Sequence, residues 1–125
     1  MFGEDMWKME WLEKFKRFMD EASQYFIKKP SRKRPFREIR KIKWHQFITQ
    51  KIRREIVRGL GELYEIALNF AKNEVLDLRE RERWSRIAAY IAQTINAILQ
   101  TYDIMKIEKS IDELKQFVKL HLENR

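Results

Sequence analysis

The sequence predicts an all-α fold: an antiparallel helical bundle of about four helices, with a basic, proline-containing linker after the first. Three observations predict it. The chain holds only 3 Gly and 2 Pro among 125 residues, too few turn formers to punctuate many short strands. Apolar side chains recur at steps of three and four along four separate stretches, the period of a helix that buries one face. The later stretches are joined by short connections, which imply antiparallel neighbours and make a bundle the economical packing. A chain of this length forms a single domain, 1–125, with a core large enough to need no covalent staples.

The first helix is expected over 5–28. Trp7, Trp11, Phe15, Phe18, Ala22 and Tyr25 fall on one face, flanked by Leu12, Met19 and Phe26. Pro30 ends it, because proline disfavours helical backbone at the residue before it and has no N–H to donate. The basic linker, 29–38, holds both prolines and reads as extended, its like charges repelling one another.

A second helix is expected over 39–72, with Ile48, Ile52, Ile56, Leu60, Leu63, Ala67 and Phe70 as its apolar stripe. Gly59 and Gly61 interrupt it, and glycine in a helix interior costs about 1 kcal/mol relative to alanine. A kink, a break and the close approach of a neighbouring helix all account for them; the reading favours an unbroken helix, bent near 59–61.

The third helix is expected over 78–103. Asp77 and Glu80 have the spacing of a capping box, in which side chains satisfy the first free backbone donors. Its stripe is Trp84, Ile87, Ile91, Ile95, Ile98 and Tyr102, and the alternating charges of 79–86, Glu82 with Arg86 among them, read as a solvated ion-pair network. Ser110 and Glu113 form a second box, which starts the last helix, 111–123, along Ile111, Leu114, Val118 and Leu122.

Charge is distributed unevenly. The net charge is +8, and residues 28–43 alone hold nine basic side chains against one acid, Glu38. The other 18 basic and 18 acidic residues cancel, so one segment carries the whole excess, as a localised contact with a polyanion would. A solvated loop that aids solubility is the competing reading. At about 100° per residue along an unbroken helix, Arg40, Lys43, Lys51, Arg54 and Arg58 share one arc. Trp44 and Phe47 point into that arc, away from Ile48, Ile52 and Ile56. Cations interleaved with aromatics suit a surface that grips phosphates and stacks on bases. The candidate nucleic-acid-binding residues are therefore Lys28, Lys29, Arg32, Lys33, Arg34, Phe36, Arg37, Arg40, Lys43, Trp44, Phe47, Lys51, Arg54 and Arg58. The alternative for the two aromatics is packing beneath the first helix, with basic stems laid over them. No helix-turn-helix, zinc finger or β-sheet RNA module is legible, which favours RNA or a ribonucleoprotein over a specific DNA site.

Chemistry is poorly provided for. The chain has no cysteine and two histidines, so disulfides, thiolate sites and cysteine nucleophiles are excluded. Helical di-iron sites use a Glu-x-x-His step, but Ile42 precedes His45 and Val118 precedes His121 by that interval. His45 reads as a partly buried histidine bonded to a neighbour, and His121 as a favourable last-turn residue. Carboxylate pairs such as Glu62 with Glu65, or Glu74 with Asp77, have ordinary helix-face or turn spacing. Nothing supplies a nucleophile, oxyanion donors or a phosphate loop, so the reading is of a non-enzyme without metal or cofactor.

Residues 87–102 carry no charge, and a helix neutral all round is buried on several sides or pairs with a copy of itself. Tyr90, Gln93, Thr94, Ala97 and Thr101 are the candidate interface of a homodimer. The second reading of function is thus a structural or assembly protein, its basic segment docking an acidic protein partner. The stretch is too short and polar to span a bilayer, and the start, Met-Phe-Gly-Glu-Asp, lacks the basic character of a signal peptide, so a cytoplasmic location is expected. Abundant Lys, Arg, Glu and Ile without Cys fit a thermophile.

The stretch Trp84-Ser-Arg-Ile-Ala-Ala-Tyr-Ile-Ala-Gln-Thr-Ile-Asn-Ala-Ile-Leu-Gln-Thr-Tyr-Asp103, in its Lys-, Glu- and Ile-rich setting, resembles small archaeal all-helical proteins of an uncharacterised family, a domain of unknown function. The likeness covers the C-terminal half and implies a helical fold with no catalytic residues to carry over. Small basic helical subunits of RNA-guided defence complexes and ribosome-associated proteins share this size and charge, an analogy of style without a shared motif.

Overall fold

Helix α1, Phe2–Ile27, forms where the tryptophan-rich stripe predicts it. A computed structural model of the chain describes the backbone of residues 2–27 and 38–122, and the side chains of 6–26 and 49–122. Trp11, Phe15, Met19 and Ala22 follow one another at about one turn and are all buried, so α1 docks by a single face. The linker cations Lys28, Lys29, Arg32, Lys33, Arg34 and Arg37, and Phe36 with them, lie outside the described residues.

Helix α2, Glu38–Lys72, runs unbroken through both glycines. Its inner face is Ile52, Ile56, Leu60, Leu63 and Ala67, all buried as the stripe predicts. Gly59 is where α1 comes closest: a β-carbon there would lie 2.6 Å from Cδ1 of Phe18. The close approach of a neighbour thus accounts for this glycine. Gly61 has open space where its β-carbon would stand.

Helix α3, Leu78–Leu99, starts at Asp77, whose carboxylate accepts the Glu80 backbone N–H at 2.8 Å. The Glu80 carboxylate is engaged by Arg83 at 2.7 Å. That pair replaces the expected partnership of Glu82 with Arg86, which is not among the ion pairs of the described residues. The expected run to residue 103 is corrected: the helix stops four residues earlier. Gln100 and Thr101 close it with bonds to Asn96, Ala97 and Ile98 carbonyls. Tyr102 consequently leaves the core stripe and stands exposed.

Helix α4, Ile104–Leu122, begins seven residues before the expected start at 111. Asp103 is its N-cap: its side chain accepts from the Met105 N–H at 2.9 Å, and its carbonyl from Lys106 and Ile107 at 3.1 Å each. Ser110 is an interior helical residue and caps nothing. The missed start has a local cause, because the third helical position is Lys106 and not the Glu of a capping box.

The four helices pack as a bundle, each touching its chain neighbour, with α1 also meeting α4 to close the ring. The pairing of α1 with α2 is antiparallel, since Phe18 sits by Gly59, Trp11 by Leu63 and Trp7 by Phe70. So is that of α2 with α3: Phe70 meets Trp84 at one end, and Arg53 reaches Thr101 at the other. The indole N–H of Trp11 donates to the Leu63 carbonyl at 3.2 Å, which satisfies the one polar atom this large buried ring carries. Trp11 also meets Trp84 edge-on at 5.2 Å, at the end of the bundle where Phe70 meets the same ring. No helix of the described residues is long and apolar enough to cross a membrane.

Candidate nucleic-acid interface

The candidate surface is the outward face of α2. The apolar stripe fixes the helix's rotation by turning Ile52, Ile56 and Leu60 into the core, and positions half a turn away are then forced out. Lys51, Arg54 and Arg58 occupy those positions and are exposed, one above another over about two turns. Arg40, Lys43, Trp44 and Phe47 belong to the same helix and, by its register, to the same arc. Their side chains, and that of His45, lie outside the described residues.

Among the described residues, the one ion pair made by Lys51, Arg54 or Arg58 is that of Arg58. Arg58 meets Glu55 at 3.5 Å, but its side chain is 75% exposed, and a pair so open to water is worth little. The face also has definite edges. Beyond Arg58 the exposed residues become Glu62 and Glu65, so the basic surface ends about one turn past it. On the α1 side, a groove between the two helices is lined by Glu21, Glu55 and Glu62 around Arg58, which repels phosphate. Among the described residues, acids therefore bound the basic surface at its C-terminal end and on the α1 side, while Arg53 lies on the α3 side.

On that α3 side sequence reasoning missed Arg53. It lies outside the arc of the other cations. Its guanidinium donates to the Thr101 carbonyl at 3.0 Å and stands over the Tyr102 ring, 4.2 Å from the centroid. It ties α2 to the α3–α4 corner through groups far away in the chain, a link no local pattern announces.

The candidate self-association face divides. Gln93 and Ala97 are exposed, and with Ala89, Ala92, Asn96 and Gln100 they make an outward surface of α3 without charge. Thr94 is corrected: it is buried, its hydroxyl donating to the Tyr90 carbonyl at 2.9 Å. Tyr90 is half-buried and stacks on Phe117 at 4.2 Å. Thr101 is engaged at the corner by Arg53 and by the Asp103 N–H. Phe117 carries His121 on its other flank at 4.0 Å, and a ring nitrogen of His121 lies 3.0 Å from the Phe117 carbonyl.

No group of three or more His, Cys, Asp or Glu able to hold a metal occurs among the described residues. Comparison with known protein families, with curated proteins and with solved structures finds no match to this chain.

Proposed function

We propose that this chain is a non-catalytic nucleic-acid-binding module, taking RNA or a ribonucleoprotein in preference to a specific DNA site. The observation that carries the reading is the row of exposed Lys51, Arg54 and Arg58 on α2, together with the sequence segment 28–43, which holds the entire net charge. Phosphates are neutralised by these three and by Lys28, Lys29, Arg32, Lys33, Arg34, Arg37, Arg40 and Lys43, while Phe36, Trp44 and Phe47 stack on bases. Fluorescence anisotropy with single-stranded RNA, duplex RNA and duplex DNA at two salt concentrations tests it. Binding should weaken steeply with salt and be abolished by Arg54→Glu with Arg58→Glu, and Trp44→Ala should cost about 1–3 kcal/mol. Affinity that ignores salt, or that survives the double charge reversal, overturns the reading.

A second reading has its own observation, the exposed, charge-free surface of α3 around Ala89, Ala92, Gln93, Asn96 and Ala97. In that reading the chain is an assembly protein, a homodimer or a subunit docked on an acidic partner through its basic segment. Light scattering tests the first form, and a strict monomer at high concentration removes it. Both readings carry a cytoplasmic, thermophilic setting, and a melting temperature well above the mesophilic range checks its thermophilic part.

A further inference from the structure

We infer that the α3–α4 corner, with Tyr102 held by Arg53, is a base-stacking platform that makes the ligand of the basic surface single-stranded; this rests on the nucleic-acid reading above. The corner comprises residues 100–103, between the two helices. Among the described residues, the Tyr102 ring is held by Arg53. The Arg53 guanidinium lies over the ring at 4.2 Å and is itself pinned to the Thr101 carbonyl at 3.0 Å, so ring and cation form one ordered unit. Tyr102 nevertheless remains 60% exposed, so the ring offers water a surface that no neighbour covers.

The surroundings suit a base more than bulk water. Leu99 and Met105 are also exposed, so three large apolar side chains gather within seven residues at this end of the bundle. Asp103, the acid nearest in sequence, has its carboxylate committed to the first turn of α4, where the helix's partial positive charge lies against it. Arg53 adjoins Arg54 in sequence, on the flank of α2 that faces α3 and away from the acidic groove on the α1 side. A strand whose phosphates follow Lys51, Arg54 and Arg58 can thus turn a base over this edge. Every base presents a π-face, so such a platform is tolerant of sequence, and it requires the base to be free of its duplex.

The test compares a single-stranded RNA with a duplex RNA of equal length at low salt, for the wild-type chain, Tyr102→Leu, Tyr102→Phe and Arg54→Glu with Arg58→Glu. Tyr102 lies outside the helices and is exposed, and far-ultraviolet circular dichroism checks that each variant is folded. The expected result is a wild-type preference for the single strand that Tyr102→Leu lowers by about ten- to a hundredfold and Tyr102→Phe retains. A Tyr102→Leu chain with the wild-type preference overturns the platform, while loss of binding in the double charge reversal alone leaves the basic surface standing without it. A wild-type chain that binds neither RNA overturns both.

Discussion

Gly59 and Gly61 lie in the same helix and should respond oppositely to a methyl group. At Gly61 nothing stands within 4 Å of the new β-carbon, so Gly61→Ala gains helix propensity without a clash. It should raise unfolding stability by about 0.5–1 kcal/mol in urea titrations. At Gly59 the same propensity gain is opposed by the Phe18 ring at 2.6 Å, and overpacking of that kind costs about 1–3 kcal/mol. Gly59→Ala should therefore lower stability, and adding Phe18→Ala to it should cost less than Phe18→Ala does in the wild-type chain. The sequence marks both glycines as interruptions and offers one set of explanations for the pair. Only the structure separates them, because the atom that matters belongs to another helix. The same limit applies to Thr94, a polar residue on a neutral helix that reads as outward-facing. It tolerates burial by donating back to its own helix, an option every helical threonine carries and no spacing reveals.

At the scale of elements, the interiors are legible and so are most of the ends, the boundary between α3 and α4 being the exception. Ile52, Ile56, Leu60, Leu63 and Ala67 on α2, and Ile111, Leu114, Val118 and Leu122 on α4, are buried as their periodicity requires. Asp77 caps α3 where its spacing with Glu80 places it. The α3–α4 boundary was misplaced because neither Gly nor Pro occurs between residues 84 and 122, so no conformational punctuation marks the stop. The helix ends instead on polar contacts made by Thr101, Asp103 and the distant Arg53. Two variants check the corrected boundary. Asp103→Ala should lower stability by about 0.5–2 kcal/mol, the usual cost of losing an N-cap. Ser110→Ala, inside α4, should leave it unchanged or raise it by a few tenths of a kcal/mol, since alanine is the better interior residue. The reverse ordering in thermal melts would restore Ser110 as the cap.

The whole molecule separates packing from charge: aromatic contacts concentrate where Trp7 and Trp11 of α1, Phe70 of α2 and Trp84 of α3 meet, and the excess charge of the sequence falls at and before the N-terminal half of α2. The candidate surface was legible in part for that reason. A charge count finds the basic segment, while Arg53 and Tyr102 emerge only once α2 and the corner are side by side. If the surface is the binding site, the slope of log affinity against log salt should be steeply negative. Neutralising the pair with Arg54→Gln and Arg58→Gln, which removes two contacts without reversing charge, should make it shallower by about 1–2, without shifting the melting temperature much, since both residues are exposed. The aromatic side has a spectroscopic consequence. Trp11 and Trp84 hold their indoles 5.2 Å apart at 75°, close and oblique enough for their transition dipoles to couple. The far-ultraviolet spectrum will then carry an exciton couplet on top of the helical bands. Its amplitude would report whether α1 is seated against α3, and helix content read from that spectrum alone would be misjudged until the couplet is removed with Trp84→Phe.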